Sequence, residues 1–150
     1  MRVSDIITQL KSKIMKKLFL ALMAVCVMAS CGGDGGSGKK SPVAVVDNMI
    51  AVATTFKANI QKSYDTGNSE AFVRAFENFV SEMLDIKEKY QDVISNMTDE
   101  EKEKCIPKLD NFANLMEEIE YLSRQADYNL EFSDEQQTRV LKVTNKLGDM

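Results

Sequence analysis

The side chains with the capacity for chemistry in this 150-residue chain are carboxylates and three cysteines, and their spacing decides what each can do. Glu100 and Glu103 stand three apart, as do Glu117 and Glu120, one helical turn in each case. Paired acids at that spacing hold a divalent cation or share acid and base work when they converge in a dry site. Each pair also has a plain electrostatic reading, because Glu100 meets Lys104 and Glu120 meets Arg124 at i,i+4 on a solvated helix face. The second reading is the expectation here, with no catalytic residue, no metal site and no cofactor assigned.

Histidine is absent from the chain. That removes the commonest general base, the histidine ligand of haem bundles, the Glu-x-x-His element of di-iron bundles and any His-based nucleophilic triad. Gly67 and Gly148, the only glycines beyond a cluster at positions 32 to 38, fall at expected helix ends, which leaves no Gly-rich phosphate loop. The chemistry therefore points away from an enzyme.

The cysteines divide by position. Cys26 lies in an apolar run, Cys31 closes it, and Cys105 stands alone in the body of the chain. One thiol makes no intramolecular disulfide and no Cys-rich metal centre. Beside Ile106, Cys105 is expected to be a buried, inert thiol.

The run itself reads KKLFLALMAVCVMASCGG from Lys16 to Gly33: two lysines, 12 uninterrupted apolar residues from Leu18 to Ala29, a small residue and a cysteine. That is the order of a charged n-region, an apolar h-region and a processing site. As a helix the apolar run extends only about 18 Å against a hydrocarbon core of about 30 Å, which suits a signal better than a permanent span. Met15-Lys16-Lys17 makes a normal signal start, so Met15 is expected to be the initiator. The other reading is a long basic n-region from Met1 that includes Arg2, Lys11 and Lys13.

Met28-Ala29-Ser30-Cys31 resembles the cleavage box of the bacterial lipoproteins, with Met where Leu is commoner. The resemblance implies that the chain is cut before Cys31 and that Cys31 is acylated on its sulfur and on its new amino group, palmitate-like chains anchoring it in the membrane. Gly32 in place of Asp after that cysteine implies outer-membrane rather than inner-membrane delivery, with the periplasmic or surface face left open. An ordinary secretory signal followed by a coincidental cysteine is the alternative.

On this reading residues 1–30 are a signal peptide, residues 31–40 the acylated cysteine and a tether, and residues 41–150 the folded body. The tether GGDGGSGKK has no core-forming residue, a root-mean-square span of about 16 Å and a reach of about 30 Å. Loss of residues 1–30 takes five basic residues and one acid, leaving 14 Lys/Arg against 22 Asp/Glu, a formal charge of −8. So acidic a body is ill suited to nucleic acid and is repelled by anionic lipid, so the acyl chains would hold the membrane without electrostatic help.

The 110 residues of the body suffice for one core. Ser41-Pro42 marks a helix start, and Val46, Met49, Ala53, Phe56 and Ile60 recur at helical spacing up to a stop at Gly67-Asn68, after which Ser69 is expected to cap the next helix. Phe72, Phe76, Phe79, Met83, Ile86, Tyr90, Val93 and Met97 alternate four and three apart, the pattern of a buried seam. Thr98 to Glu101 and Ser133 to Gln136 are capping boxes that open a third and a fourth helix, the third carrying Leu109, Phe112, Met116 and Ile119, the fourth Val140, Val143 and Leu147. Pro107 is expected to kink the third helix or to set off a short turn before it. The fold expected is all-α, an antiparallel four-helix bundle behind a flexible N-terminal tether.

Met97-Thr98-Asp99-Glu100-Glu101 and Phe132-Ser133-Asp134-Glu135-Gln136 further resemble the Leu-Thr-x-x-Gln motif that occurs twice in Spy/CpxP-type helical proteins of the periplasm. The first copy departs at the Leu and Gln positions, the second at Leu and Thr. That resemblance implies a chaperone or stress-response binding module. The primary expectation is a non-enzymatic envelope protein that acts by contact with a protein partner, as an accessory, adaptor or inhibitor.

Overall fold

The computed structural model describes Asp5 and residues 41–148, so the expected signal peptide except Asp5, Cys31 and the expected tether lie outside the described residues. Four helices account for the body: α1 (Pro42–Thr66), α2 (Ser69–Ser95), α3 (Asp99–Asn129) and α4 (Asp134–Gly148). No strand occurs among the described residues.

Local chemistry sets each boundary. Ser41 Oγ accepts from the Ala44 amide at 3.2 Å, and Pro42 occupies the first turn, where its missing N–H costs nothing. At the other end of α1, Gly67 adopts φ 63°, its N–H donates to the Tyr64 carbonyl, and the Asn68 N–H donates to the Ser63 carbonyl at 2.9 Å. Those two bonds are a Schellman motif. The cap of α2 is Asn68 rather than Ser69: its backbone has already left helical geometry, and its Oδ1 accepts from the Ala71 amide at 2.9 Å. Ser69 becomes the first helical residue, so one asparagine both completes the stop of α1 and caps α2.

The capping box of α3 forms with both bonds, Glu101 N–H to Thr98 Oγ1 at 3.2 Å and Thr98 N–H to Glu101 Oε2 at 2.9 Å. Ser133 and Gln136 repeat it at α4, with 3.2 Å and 3.0 Å for the same two bonds. Pro107 lies inside one continuous α3, and no separate turn precedes it. Pro107 and Glu103 are both exposed, so the carbonyl that loses its partner faces solvent, where water can satisfy it.

The helices pack in the spatial order α3, α1, α2, α4. Asp47 pairs with Lys108, and Lys57 pairs with Glu118, each pair 61 residues apart in sequence. A constant offset over ten residues means that α1 and α3 run in the same direction, in register over about 15 Å. The sequential neighbours α2 and α3 are not closely packed along their backbones, nor are α3 and α4. They meet instead through side chains in a shared core.

All four helices supply that core. Phe56, Phe72, Phe76, Phe79, Phe112, Ile60, Met116 and Ile119 are its largest fully buried side chains. Phe56 stacks on Phe79 with ring centroids 4.5 Å apart and is tilted against Phe76 at 6.0 Å, joining α1 to α2. Phe132, just before α4, meets Phe72 edge-on at 5.4 Å. The α2 seam is buried from Phe72 to Tyr90, Val93 is half-buried, and Met97 falls into a second small cluster with Val46 and Cys105. That cluster closes the end of the bundle where α1 and α3 begin and α2 finishes.

Candidate functional site

The buried polar groups among the described residues are Ser63, Lys102, Ser123 and Thr144, and Lys102 donates Nζ to Asp99 Oδ1 at 2.8 Å. Ser63, Ser123 and Thr144 each return the hydroxyl to a carbonyl one turn back, at Asn59, Ile119 and Val140, over 2.7, 2.7 and 2.9 Å. No buried side-chain polar atom among the described residues is left without a partner. Among the described residues the interior thus holds no unpartnered polar side chain aimed at a ligand.

The paired acids of the sequence lie on that surface with their cations. Glu100 accepts from Lys104 Nζ at 2.6 Å, and Lys104 holds the Glu100 carboxyl below its ordinary range while being raised itself. Glu120 accepts from Arg124 Nη2, also at 2.6 Å. Among the described residues no three Cys, Asp or Glu side chains converge into a metal-ligating group. Cys105 is buried, with its thiol pushed up chiefly by burial and then by the nearby charges of Glu101 and Asp47. A thiol in that position is shielded and slow to ionise.

The strongest electrostatic feature is one that no spacing rule reveals. Arg139 on α4 donates Nε and Nη2 to the two oxygens of Glu77 at 3.0 and 2.7 Å, and Nη1 to both oxygens of Glu70 at 2.9 Å. Arg74 and Gln136 add further bonds to Glu70, at 3.0 and 3.3 Å. Arg139, then Gln136 and Arg74, hold the Glu70 carboxyl down at about 2 against partial desolvation. The only trace of this in sequence is that Glu70 and Glu77 stand two turns apart on one face of α2. Their partner lies more than sixty residues away. The cluster fastens α4 to α2 and is a structural clasp, since its only cations and anions satisfy each other.

Two further surface features remain. A shallow cleft of about 500 Å³ lies between α1 and α3, lined by Lys57, Gln61, Asn114, Glu117, Glu118, Tyr121 and Leu122, with the Lys57–Glu118 ion pair across it. The large apolar side chains exposed among the described residues are Ile106, Tyr121, Tyr128 and Leu141. The ionisable side chains of the cleft are Lys57, Glu117, Glu118 and Tyr121, with Lys57 and Glu118 paired to each other. Comparison with protein-family models, with curated proteins and with solved structures returns no match for this chain.

Proposed function

We propose that the chain is a lipid-anchored helical lipoprotein of the bacterial envelope, held through Cys31 in the outer membrane, that acts by protein–protein contact as an accessory, adaptor or inhibitor. The observation that carries the anchor is the sequence from Lys16 to Gly33, whose basic, apolar, small and cysteine positions fall in processing order and lead straight into a Gly-rich tether. Contact rather than catalysis draws support from the body: Glu100 and Glu120 sit beside cations, its buried hydroxyls are bonded within their own helices, and its Phe/Met stripe is spent on the core.

Metabolic labelling with a clickable fatty acid in a bacterial host tests the anchor. Label is expected on the parent chain and not on Cys31→Ala, and label retained on Cys31→Ala refutes it. Photo-crosslinking from exposed positions in intact cells tests the mode of action. One defined protein species is expected; a broad mixture of unfolded envelope proteins would replace the adaptor reading with that of a chaperone.

A further inference from the structure

Of the four helices α4 has the weakest hold on the core. It is 15 residues long against 25, 27 and 31 for α1, α2 and α3, and α2 is the one helix it lies closely along. Among its described side chains Val140 is the one fully buried apolar group, with Val143 half-buried. At the other edge of the bundle α3 buries Cys105, Phe112, Met116, Ile119 and Ala126. The second buried position of α4 is Thr144, whose hydroxyl turns back to the Val140 carbonyl. An element with so little buried apolar surface belongs at the low end of the ladder of local openings.

Its polar attachment is concentrated at one residue. Arg139 is the one α4 charge that pairs with another helix among the described residues, while Asp134, Glu135, Lys142 and Lys146 are exposed and form no such pair. Gln136 adds a single bond to Glu70, which Arg74 also holds from within α2. The strip of α2 beneath this attachment is not its phenylalanine seam. Glu70, Val73, Glu77 and Val80 recur three and four apart and lie about 120° round the helix from Phe72, Phe79 and Met83. Val73 and Val80 are 0 and 1% exposed, on the side that Arg139 grips, so α4 is their cover. Just before α4, Leu130 is buried and Phe132 meets Phe72, which fixes the chain up to Ser133.

We propose that α4 is a releasable strap, which swings off α2 as a unit about Ser133 while α1, α2 and α3 keep their packing, and that the Arg139 clasp is its latch. Release withdraws Val140 and Val143 from the core but leaves Phe56, Phe76, Phe79, Phe112, Met116 and Ile119 to hold the other three helices together. It bares Val73 and Val80 between Glu70 and Glu77, an apolar strip edged by two carboxylates that the closed body hides. Because Arg139 binds both carboxylates at once, loss of that one side chain removes most of the polar attachment in a single step. The inference concerns the helical body and holds whether or not Cys31 is acylated.

Thiol labelling of the full-length chain tests it, with peptide mapping to tell the cysteines apart. Val80→Cys places a thiol under α4, and native Cys105, buried where α2 finishes and α3 begins, reports opening of the body in the same molecule. The thiol at position 80 is expected to react at least about ten-fold faster than Cys105. Arg139→Ala is expected to raise its rate several-fold further and to leave the Cys105 rate unchanged. Hydrogen exchange of the parent chain reads the same event without a substitution: amides from 139 to 146 are expected to exchange together and ahead of those around Phe56, Phe79 and Met116. Exchange of the α4 amides in step with those of the other helices overturns the proposal. So does a position-80 rate that ignores Arg139→Ala, or an Arg139→Ala effect that raises the rates at 80 and at Cys105 alike.

Discussion

Arg139 Nη1 lies 2.9 Å from both carboxylate oxygens of Glu70, and the same guanidinium grips Glu77 through its other two nitrogens. Because the clasp holds the Glu70 carboxyl at about 2 against an ordinary 4.5, its contribution to stability is full above pH 4.5 and is lost as pH falls toward 2. Thermal unfolding of the parent and of Glu70→Gln across that range checks this. The gap in melting temperature between them is expected to be widest above pH 4.5 and to close as pH approaches 2.

The α2 seam sets the largest single-residue effects. Phe76 is fully buried, and Phe76→Ala is expected to cost about 3–5 kcal/mol, most of the margin of a small domain. Lys87→Ala, off the seam, is expected to stay within about 0.5 kcal/mol of the parent. Urea unfolding of residues 41–150 measures both. A Phe76→Ala protein as stable as its parent would show that the stripe is not core.

At Gly67 the backbone alone decides. An added Cβ meets nothing within 4 Å, but φ is +63°, so Gly67→Ala is expected to cost about 1 kcal/mol through conformational strain without any clash. Gly67→Asn should lose less, since asparagine tolerates this region. The order Gly, Asn, Ala in urea midpoint is the check.

Cys105 is buried, and its thiol is pushed up by that burial. In the native domain it is expected to resist an aromatic disulfide reagent at neutral pH and to react fully once denaturant is added. Prompt reaction without denaturant would place the thiol at the surface.

What the sequence by itself determined is the set of helices and most of their ends. Ser41-Pro42, Thr98 with Glu101 and Ser133 with Gln136 act within four residues of themselves, and the Phe72-to-Tyr90 stripe carries its period along one strip of chain, so each can be read without knowing what lies opposite. The same locality explains the two boundary differences. Asn68 displaced Ser69 as cap because the Schellman turn at Gly67 had already turned its backbone out of the helix, and Pro107 set off no separate turn because the carbonyl it leaves without a donor belongs to the exposed Glu103, where water can satisfy it. Only the tertiary structure decided that α1 lies beside α3 in parallel, that Arg139 reaches Glu70 and Glu77, and that Tyr121 and Tyr128 project outward while the phenylalanines of α2 turn in. Those relations join residues sixty or more positions apart, or depend on which side of a helix its neighbours cover. Which helix faces are covered is settled when four amphipathic stripes close around one core, and no single stripe holds that information.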